Sequence, residues 1–301
     1  MPANSPSNNP VEPSRFLDVL QALLARVLIF LIRLLPIDVA SAIGGWLGRT
    51  VGPMFGITRV ARKNLVRAFP EKNPVEIETI IRGMWDNLGR YTFEFPHLDR
   101  IQFNAPDARA EIAGVENTAL LRDDDAPGIF ISGHMANWEL ASRSVTNEGV
   151  VLHGIYRAPN NPHMEPIFTR QNPGRGELLP KGAKGAKRAI QLLKTGGHLG
   201  ILVDQKMNDG VAVPFFGRDA MTAPAVAQFA YRYKCPIVPV RVERLGGARF
   251  RITHHAPIDL PDTGDRHADI LQTMTDINAL LEGWVRERPE QWFWVHRRWP
   301  D

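Results

Sequence analysis

Beyond about residue 110 the chain alternates between apolar runs of strand length and segments with helical spacing. The runs are GIFIS at 128–132, VVLHGI at 150–155, LGILV at 199–203 and IVPVRV at 237–242. Helical segments accompany them at 136–146, 163–170, 184–195 and 222–233. Strand and helix in alternation predict an α/β fold with a mostly parallel central sheet flanked by helices. After the fourth run, ERLGGARF reads as a Gly-Gly hairpin leading into RFRITHH. Residues 266–287 place Ile270, Met274, Ile277, Leu281 and Trp284 on one side, the pattern of a further amphipathic helix.

Before residue 100 the pattern is helical, with apolar-periodic segments near 38–52, 58–68 and 75–95. Ahead of these lies FLDVLQALLARVLIFLIRLL, residues 16–35, stopped by Pro36. A helix of that length spans roughly 30 Å, enough to cross a bilayer. However, Asp18, Gln21, Arg26 and Arg33 share an arc of about 140°, opposite Leu20, Leu23, Leu24, Val27, Phe30, Leu31 and Leu34. A stripe of charge suits a helix lying in the membrane interface better than one crossing it. A soluble surface helix would carry the same stripe. The interrupting charges and the lack of a small-residue cleavage site exclude a signal peptide. Residues 1–15 are rich in Ser, Asn and Pro and are expected to be disordered. The predicted organisation is a tail at 1–15, a membrane-anchoring helix at 16–35 and a single α/β domain with a helical N-terminal part at 36–301.

In a parallel sheet, ligands gather beyond the carboxyl ends of the strands. Here GIFIS is followed by Gly133 and His134, HGI by Tyr156 and Arg157, and GILV by Asp204, Gln205 and Lys206. Three strands thus deliver polar groups to one edge. In ISGHMANWEL, His134 and Glu139 stand five positions apart, which on a continuous helix turns them about 140° away from each other. They meet only where His134 lies on the turn before the helix and Glu139 one turn inside it, a turn that Gly133 permits. Glu139 would then hold an imidazole N–H and stabilise the imidazolium, leaving the other ring nitrogen to take a proton from a hydroxyl. The first N–H groups of that helix would favour an oxyanion or a phosphate. The same spacing also fits a histidine that only caps the helix while Glu139 stays solvated, and spacing leaves both readings open. Ser132 lacks a G-x-S-x-G elbow, which argues against a serine nucleophile.

Composition narrows the partners. An apolar share of 44% and a charged share of 23% belong to a folded chain. Cys235 is the one cysteine, so neither a disulfide framework nor a cysteine zinc site is available, and a reducing compartment is expected. A net charge of +4 suits an anionic surface, a phosphorylated substrate or an acidic partner. Arg175, Lys181, Lys184, Lys187, Arg188 and Lys194 form a basic run that reads first as a solvated face. Aromatic residues are not interleaved with it, so nucleic acid is not expected. His153, His163, His198, His254 and His255 are scattered without metal-ligand spacing, and no metal is expected.

HMANWE at 134–139 resembles the H-x-x-x-x-[DE] signature of the glycerolipid acyltransferase superfamily. ARKNLVRAFP at 61–70, GIYRAPNNP at 154–162, LVDQKMNDGVAVPFFG at 202–217, TAPA at 222–225 and PEQWFWVHRRW at 289–299 narrow the resemblance to the lipid A biosynthesis late acyltransferases. The blocks run in order from about residue 16 to the end. The resemblance implies a glycerol-3-phosphate acyltransferase-like fold anchored at the cytoplasmic face of the inner membrane. It implies transfer of a fatty acyl chain from acyl carrier protein to a hydroxyl on an acyl chain of a lipid A precursor. Acyl carrier protein, the lipid A precursor and membrane lipids would be the partners, and no cofactor is implied. Carried over residue by residue, His134 becomes the general base and Glu139 the group that orients it. Tyr156, Arg157, Arg170, Arg175, Asp204 and Gln205 become substrate-binding residues, the arginines meeting a phosphate or the oxyanion. Trp292, Trp294 and Trp299 would serve the core or the membrane interface, and Arg297 and Arg298 would meet lipid phosphates. YRA replaces the more usual YRP, and PKGAKGAKRA has no assigned family meaning. Another glycolipid or a lysophospholipid as acceptor fits the same architecture. A non-catalytic membrane-lipid or carrier-protein binding module is the reading from another class.

Overall fold

The structure, a computed structural model, describes residues 15–169 and 175–299. The disordered tail expected at 1–15 lies almost wholly outside the described residues. Four helices come first: α1 (Arg15–Leu34), α2 (Ile37–Val51), α3 (Thr58–Ala68) and α4 (Pro74–Glu94). A capping box starts α4: the Asn73 side chain accepts from the N–H groups of Val75 and Glu76, and Glu76 accepts from the Asn73 N–H. Such a box contributes about 1 kcal/mol. Helices α2 and α4 pack backbone against backbone. A Cβ on Gly48 would lie 2.0 Å from the Trp85 carbonyl oxygen, and one on Gly89 2.0 Å from that of Gly44. Any side chain at either position forces the pair apart.

Helix α1 is amphipathic as expected, but its polar stripe faces the protein. Arg33 donates to the Pro96 carbonyl and to Asp99, Arg26 donates to the His163 carbonyl at 3.2 Å, and the Asn161 amide donates to the Asp18 carbonyl at 2.8 Å. The apolar side is left outside, with Leu24, Phe30 and Leu34 at 61%, 62% and 65% exposure. Exposed Trp46 on α2 and Met54 and Phe55 in the turn after it add to the apolar surface of this region. Among the described residues, no helix is long and apolar enough to cross a membrane.

The remaining chain runs through β1 (Ala110–Ala113), α5 (Val115–Arg122), β2 (Gly128–Ser132), α6 (Glu139–Asn147), β3 (Leu152–Tyr156), α7 (Glu165–Thr169), β4 (Arg175–Pro180) and α8 (Ala183–Lys194). It continues through β5 (His198–Leu202), β6 (Lys206–Phe215), β7 (Arg218–Thr222), α9 (Ala225–Tyr233), β8 (Ile237–Gly246), β9 (Arg249–His254) and α10 (Arg266–Glu287). Seven strands form the main sheet in the order β1-β9-β8-β2-β5-β3-β4. The five from β8 to β4 are parallel, while β9 turns back antiparallel to β8 with β1 parallel beside it. This is the expected mostly parallel sheet with an antiparallel edge. Every residue of β2 is buried. Ile129 and Ile131 join the core beneath α4, α8, α9 and α10, whereas Phe130 joins the opposite core with Leu121, Leu140 and Val145. Both faces of the sheet are therefore covered, which is why parallel strands read as unbroken apolar runs.

Sequence periodicity missed β1 and β4 and the separate β6–β7 hairpin. Strand β4 occupies the start of the basic run, with only Leu178 and Leu179 to mark it, so part of the expected solvated face is sheet. The lysines of α8 do face solvent, and Arg188 pairs with Glu177.

Candidate active site

Strands β2 and β5 are neighbours in register, Ser132 opposite Leu202, and Val203 N–H donates to the Ser132 carbonyl at 3.0 Å just beyond them. Two residues past the strand ends stand His134 on one chain segment and Asp204 on the other. They meet closely. His134 Nδ1 lies 2.7 Å from Asp204 Oδ1, and the His134 backbone N–H donates to Asp204 Oδ2 at 2.7 Å. Trp292 Nε1–H also donates to Asp204 Oδ2, at 2.7 Å. A carboxylate has no proton to give, so Nδ1 carries the hydrogen and Nε2 keeps its lone pair. The Gln205 amide, 3.4 Å from Nε2, suits the same tautomer as donor.

Electrostatics agrees with that assignment. Burial alone would raise the pKa of Asp204, but the charge of His134 and its hydrogen bonds outweigh burial and hold the carboxyl well below the usual range. Asp204 therefore stays ionised beneath the imidazole. Around the ring stand Trp138, edge-on at 5.2 Å between centroids, and Phe293 at 6.1 Å. The His134 side chain is 15% exposed, enough for one edge to be approached.

Glu139 is placed differently from the sequence expectation. It opens α6, and its Oε1 accepts from the Tyr91 hydroxyl at 3.1 Å, while Asp204 takes the imidazole N–H. Burial pushes the Glu139 carboxyl up, opposed by the Tyr91 hydrogen bond and the nearby charges of His134 and Arg143. The geometry gives Glu139 an electrostatic link to His134 and gives the orienting hydrogen bond to Asp204. The turn also differs in detail. Its left-handed residue is Ala136, with φ +50°, not Gly133. An L residue there costs about 1 kcal/mol. Gly133 serves by closeness instead: a Cβ on it would lie 3.3 Å from Asp204 Oδ2 and 3.2 Å from Leu281.

The other expected residues divide. Tyr156 ends β3, two strands from β2 on the same edge, and its hydroxyl donates to Glu165 at 2.7 Å. Arg157 follows it and is exposed. Arg170 lies outside the described residues, and of Arg175 only the backbone, at the start of β4, is described. Arg298 corrects the expectation of a lipid-phosphate contact. It is fully buried, donating to the Met221 carbonyl, Thr222 and Asn278, and burial lowers its pKa to about 10. Arg297 is exposed, and Trp292, Trp294 and Trp299 are all buried, so these tryptophans belong to the core. Sequence reasoning missed the hydrogen bond of Trp292 to Asp204, because nothing local marks one tryptophan of WFW as the donor. A buried aspartate directly after an apolar strand was the available signal for the His134 partner.

A histidine with one nitrogen fixed on a carboxylate and the other approachable, at the carboxyl edge of a parallel sheet, suits proton removal from a hydroxyl during group transfer. Residues 13–301 match the family model described as bacterial lipid A biosynthesis acyltransferase, and the chain belongs to that family. It is an acyltransferase of lipid A biosynthesis. The lipid A biosynthesis palmitoleoyltransferase of Escherichia coli (strain K12) is 24% identical over 275 residues, covering 88% of this chain and 86% of the relative. The lipid A biosynthesis lauroyltransferase of the same strain is 26% identical over 286 residues, covering 90% and 88%. The crystal structure of the 1-acyl-sn-glycerophosphate (LPA) acyltransferase PlsC from Thermotoga maritima aligns with 85% of this chain and 98% of its own, at 13% identity and a TM-score of 0.39.

Proposed function

We propose that this enzyme moves a fatty acyl chain from acyl carrier protein to a hydroxyl on an acyl chain of a lipid A precursor, the late acylation step. The observation that carries the reading is the hydrogen bond between His134 Nδ1 and Asp204 Oδ1, 2.7 Å long. It leaves Nε2 as the proton acceptor, with the Gln205 amide in the place an incoming hydroxyl would take. His134 removes the hydroxyl proton as that oxygen attacks the thioester carbonyl, so the O–H bond breaks as the new C–O bond forms. The tetrahedral intermediate collapses, the C–S bond breaks, and the imidazolium returns its proton to the leaving thiolate. Asp204 and, through space, Glu139 stabilise the imidazolium between those events. Arg157, with Arg170 or Arg175, is the candidate for the oxyanion or a phosphate, and Tyr156 lines the same edge. The palmitoleoyl and lauroyl groups in the relatives' names support a fatty acyl donor. No cofactor enters this chemistry.

The outward leucines of α1, with Trp46, Met54 and Phe55, support attachment to a membrane surface, which in this reading is the cytoplasmic face of the inner membrane. A Leu24→Gln, Phe30→Gln, Leu34→Gln variant should stay in the supernatant when sedimented with anionic vesicles. Undiminished sedimentation would assign the anchoring to another surface.

The deciding experiment is mass spectrometry of purified enzyme with acyl carrier protein donors of graded chain length. The acceptors are a tetra-acylated lipid A precursor carrying its inner sugar acids and, separately, a lysophospholipid. Acyl gain on the lipid A precursor is expected. Gain only on the lysophospholipid would overturn the acceptor, and gain on neither would overturn acyl carrier protein as the donor.

A further inference from the structure

The mechanism leaves one pair of buried charges unused. Glu94 ends α4 and Arg244 lies near the end of β8, their side chains 0% and 7% exposed. Both guanidinium ends of Arg244 bond the carboxylate, Nη2 reaching Oε2 at 3.0 Å. A buried ion pair adds little net stability over an apolar pair of similar volume, so its presence calls for another account.

Ser41 Oγ donates to Glu94 Oε1 at 2.7 Å and Arg244 Nη1 donates to the Gly247 carbonyl at 2.6 Å, and the other hydrogen bonds lead to one turn. Asn137 Nδ2 donates to Glu94 Oε2 at 3.0 Å. On the other side, Arg244 Nε donates to Asn87 Oδ1 at 2.9 Å, and Asn87 Nδ2 donates to the Ala136 carbonyl at 3.2 Å. Gln291 exchanges two hydrogen bonds of 2.9 Å with the Arg244 backbone, and its own carbonyl accepts the Ala136 N–H at 2.8 Å. Each end of the ion pair therefore reaches residues 136–137, at the left-handed turn two residues after His134. The Phe293 N–H, donating to the His134 carbonyl at 3.1 Å, ties down the near side of the same turn.

We propose that Glu94 and Arg244 are positioning residues, which through Asn87 and Asn137 lock the turn at Ala136 and so aim His134 at Asp204 and the acceptor hydroxyl. The proposal rests on His134 being the base. Neither charge touches substrate; both act through the two asparagines. The pair is rigid because it is fully satisfied, and it spans three segments that a local turn could not hold by itself.

The test uses the full-length enzyme. Asn137→Ala cuts the link from Glu94 to the turn and leaves the pair and its Asn87 link intact. It should fold, lose about a hundredfold in kcat and keep KM within about twofold. A Glu94→Leu, Arg244→Met double variant, apolar in both places, should fold and show the same loss. In nitrogen-15 histidine spectra, the downfield Nδ1 proton resonance that His134→Ala removes should shift or broaden in both variants. Folded variants with wild-type kcat and an unchanged resonance would reduce the pair to a structural contact. An Asn137→Ala protein that does not fold would overturn the proposal as well, since a positioning contact predicts a folded, slow enzyme. Failure of the base reading looks different: His134→Ala would then turn over like wild type, whatever the turn does in the spectra.

Discussion

Helix α6 has a histidine associated with each end, and the two are held in opposite ways. His134, five residues ahead of the helix, is bonded to a carboxylate and keeps an exposed edge. His254, at the end of β9, lies against the far part of the helix at 1% exposure between two hydroxyls. Ser144 Oγ lies 2.8 Å from its Nε2 and gives its own proton to the Ala141 carbonyl, while Thr118 Oγ1 lies 2.6 Å from Nδ1. That arrangement is complete with one ring proton: Nε2–H donates to Ser144, and Thr118 donates to Nδ1. A second ring proton would have to turn the Thr118 hydroxyl round, and it would bring a charge to a ring bonded only to neutral hydroxyls. Burial, joined by the charge of His255, accordingly lowers the His254 pKa to about 4. The difference teaches that partner and depth together separate a histidine placed to pass a proton from one that is a packing piece.

The sharpest way to break this contrast is to remove each ring. His134→Ala should lose about two to four orders of magnitude in turnover with folding retained. His254→Ala should lower the melting temperature while the folded fraction acylates at the wild-type rate. Equal activity losses from the two would erase the distinction. Next in size is a pH effect. Unfolded His254 gains its proton near 6.5 and the folded residue near 4, so its contribution is fully present above 6.5 and is lost as pH falls through that window. The loss amounts to roughly 3 kcal/mol. Denaturant titrations at several pH values should give a steeper acid-side decline for wild type than for His254→Asn, and parallel curves would refute the assignment. The smallest effect concerns the hydrogen bond beneath His134. Trp292→Phe removes one of three donors to Asp204 and should cost about tenfold in kcat. An unchanged rate would show that the other two hold the carboxylate without it.

Much of the frame was legible from residues alone. GIFIS became β2 without a change of boundary, and the apolar period at 266–287 became α10 at both ends. Both are long or dense enough in apolar residues for pattern to decide. Strand β4 was not, since Leu178 and Leu179 sit among glycines and charges, and the β6–β7 hairpin pairs only with itself, so half of β6 is exposed and its alternation is faint. At the site, His134 and Asp204 were visible as residues following strands. Their pairing was not, because it depends on β2 and β5 lying side by side. Glu94 and Arg244 stand 150 positions apart, a separation at which no local spacing carries information.

The inward polar stripe of α1 has a practical consequence. Its ion pair and carbonyl contacts make the helix a fitted part of the body, so trimming it off would strip partners from Asp99, Asn161 and the carbonyls of Pro96 and His163. Its leucines, by contrast, hold almost nothing in place. A form of the enzyme fit for work in plain buffer is therefore better sought by repainting that outer row with glutamines than by truncation.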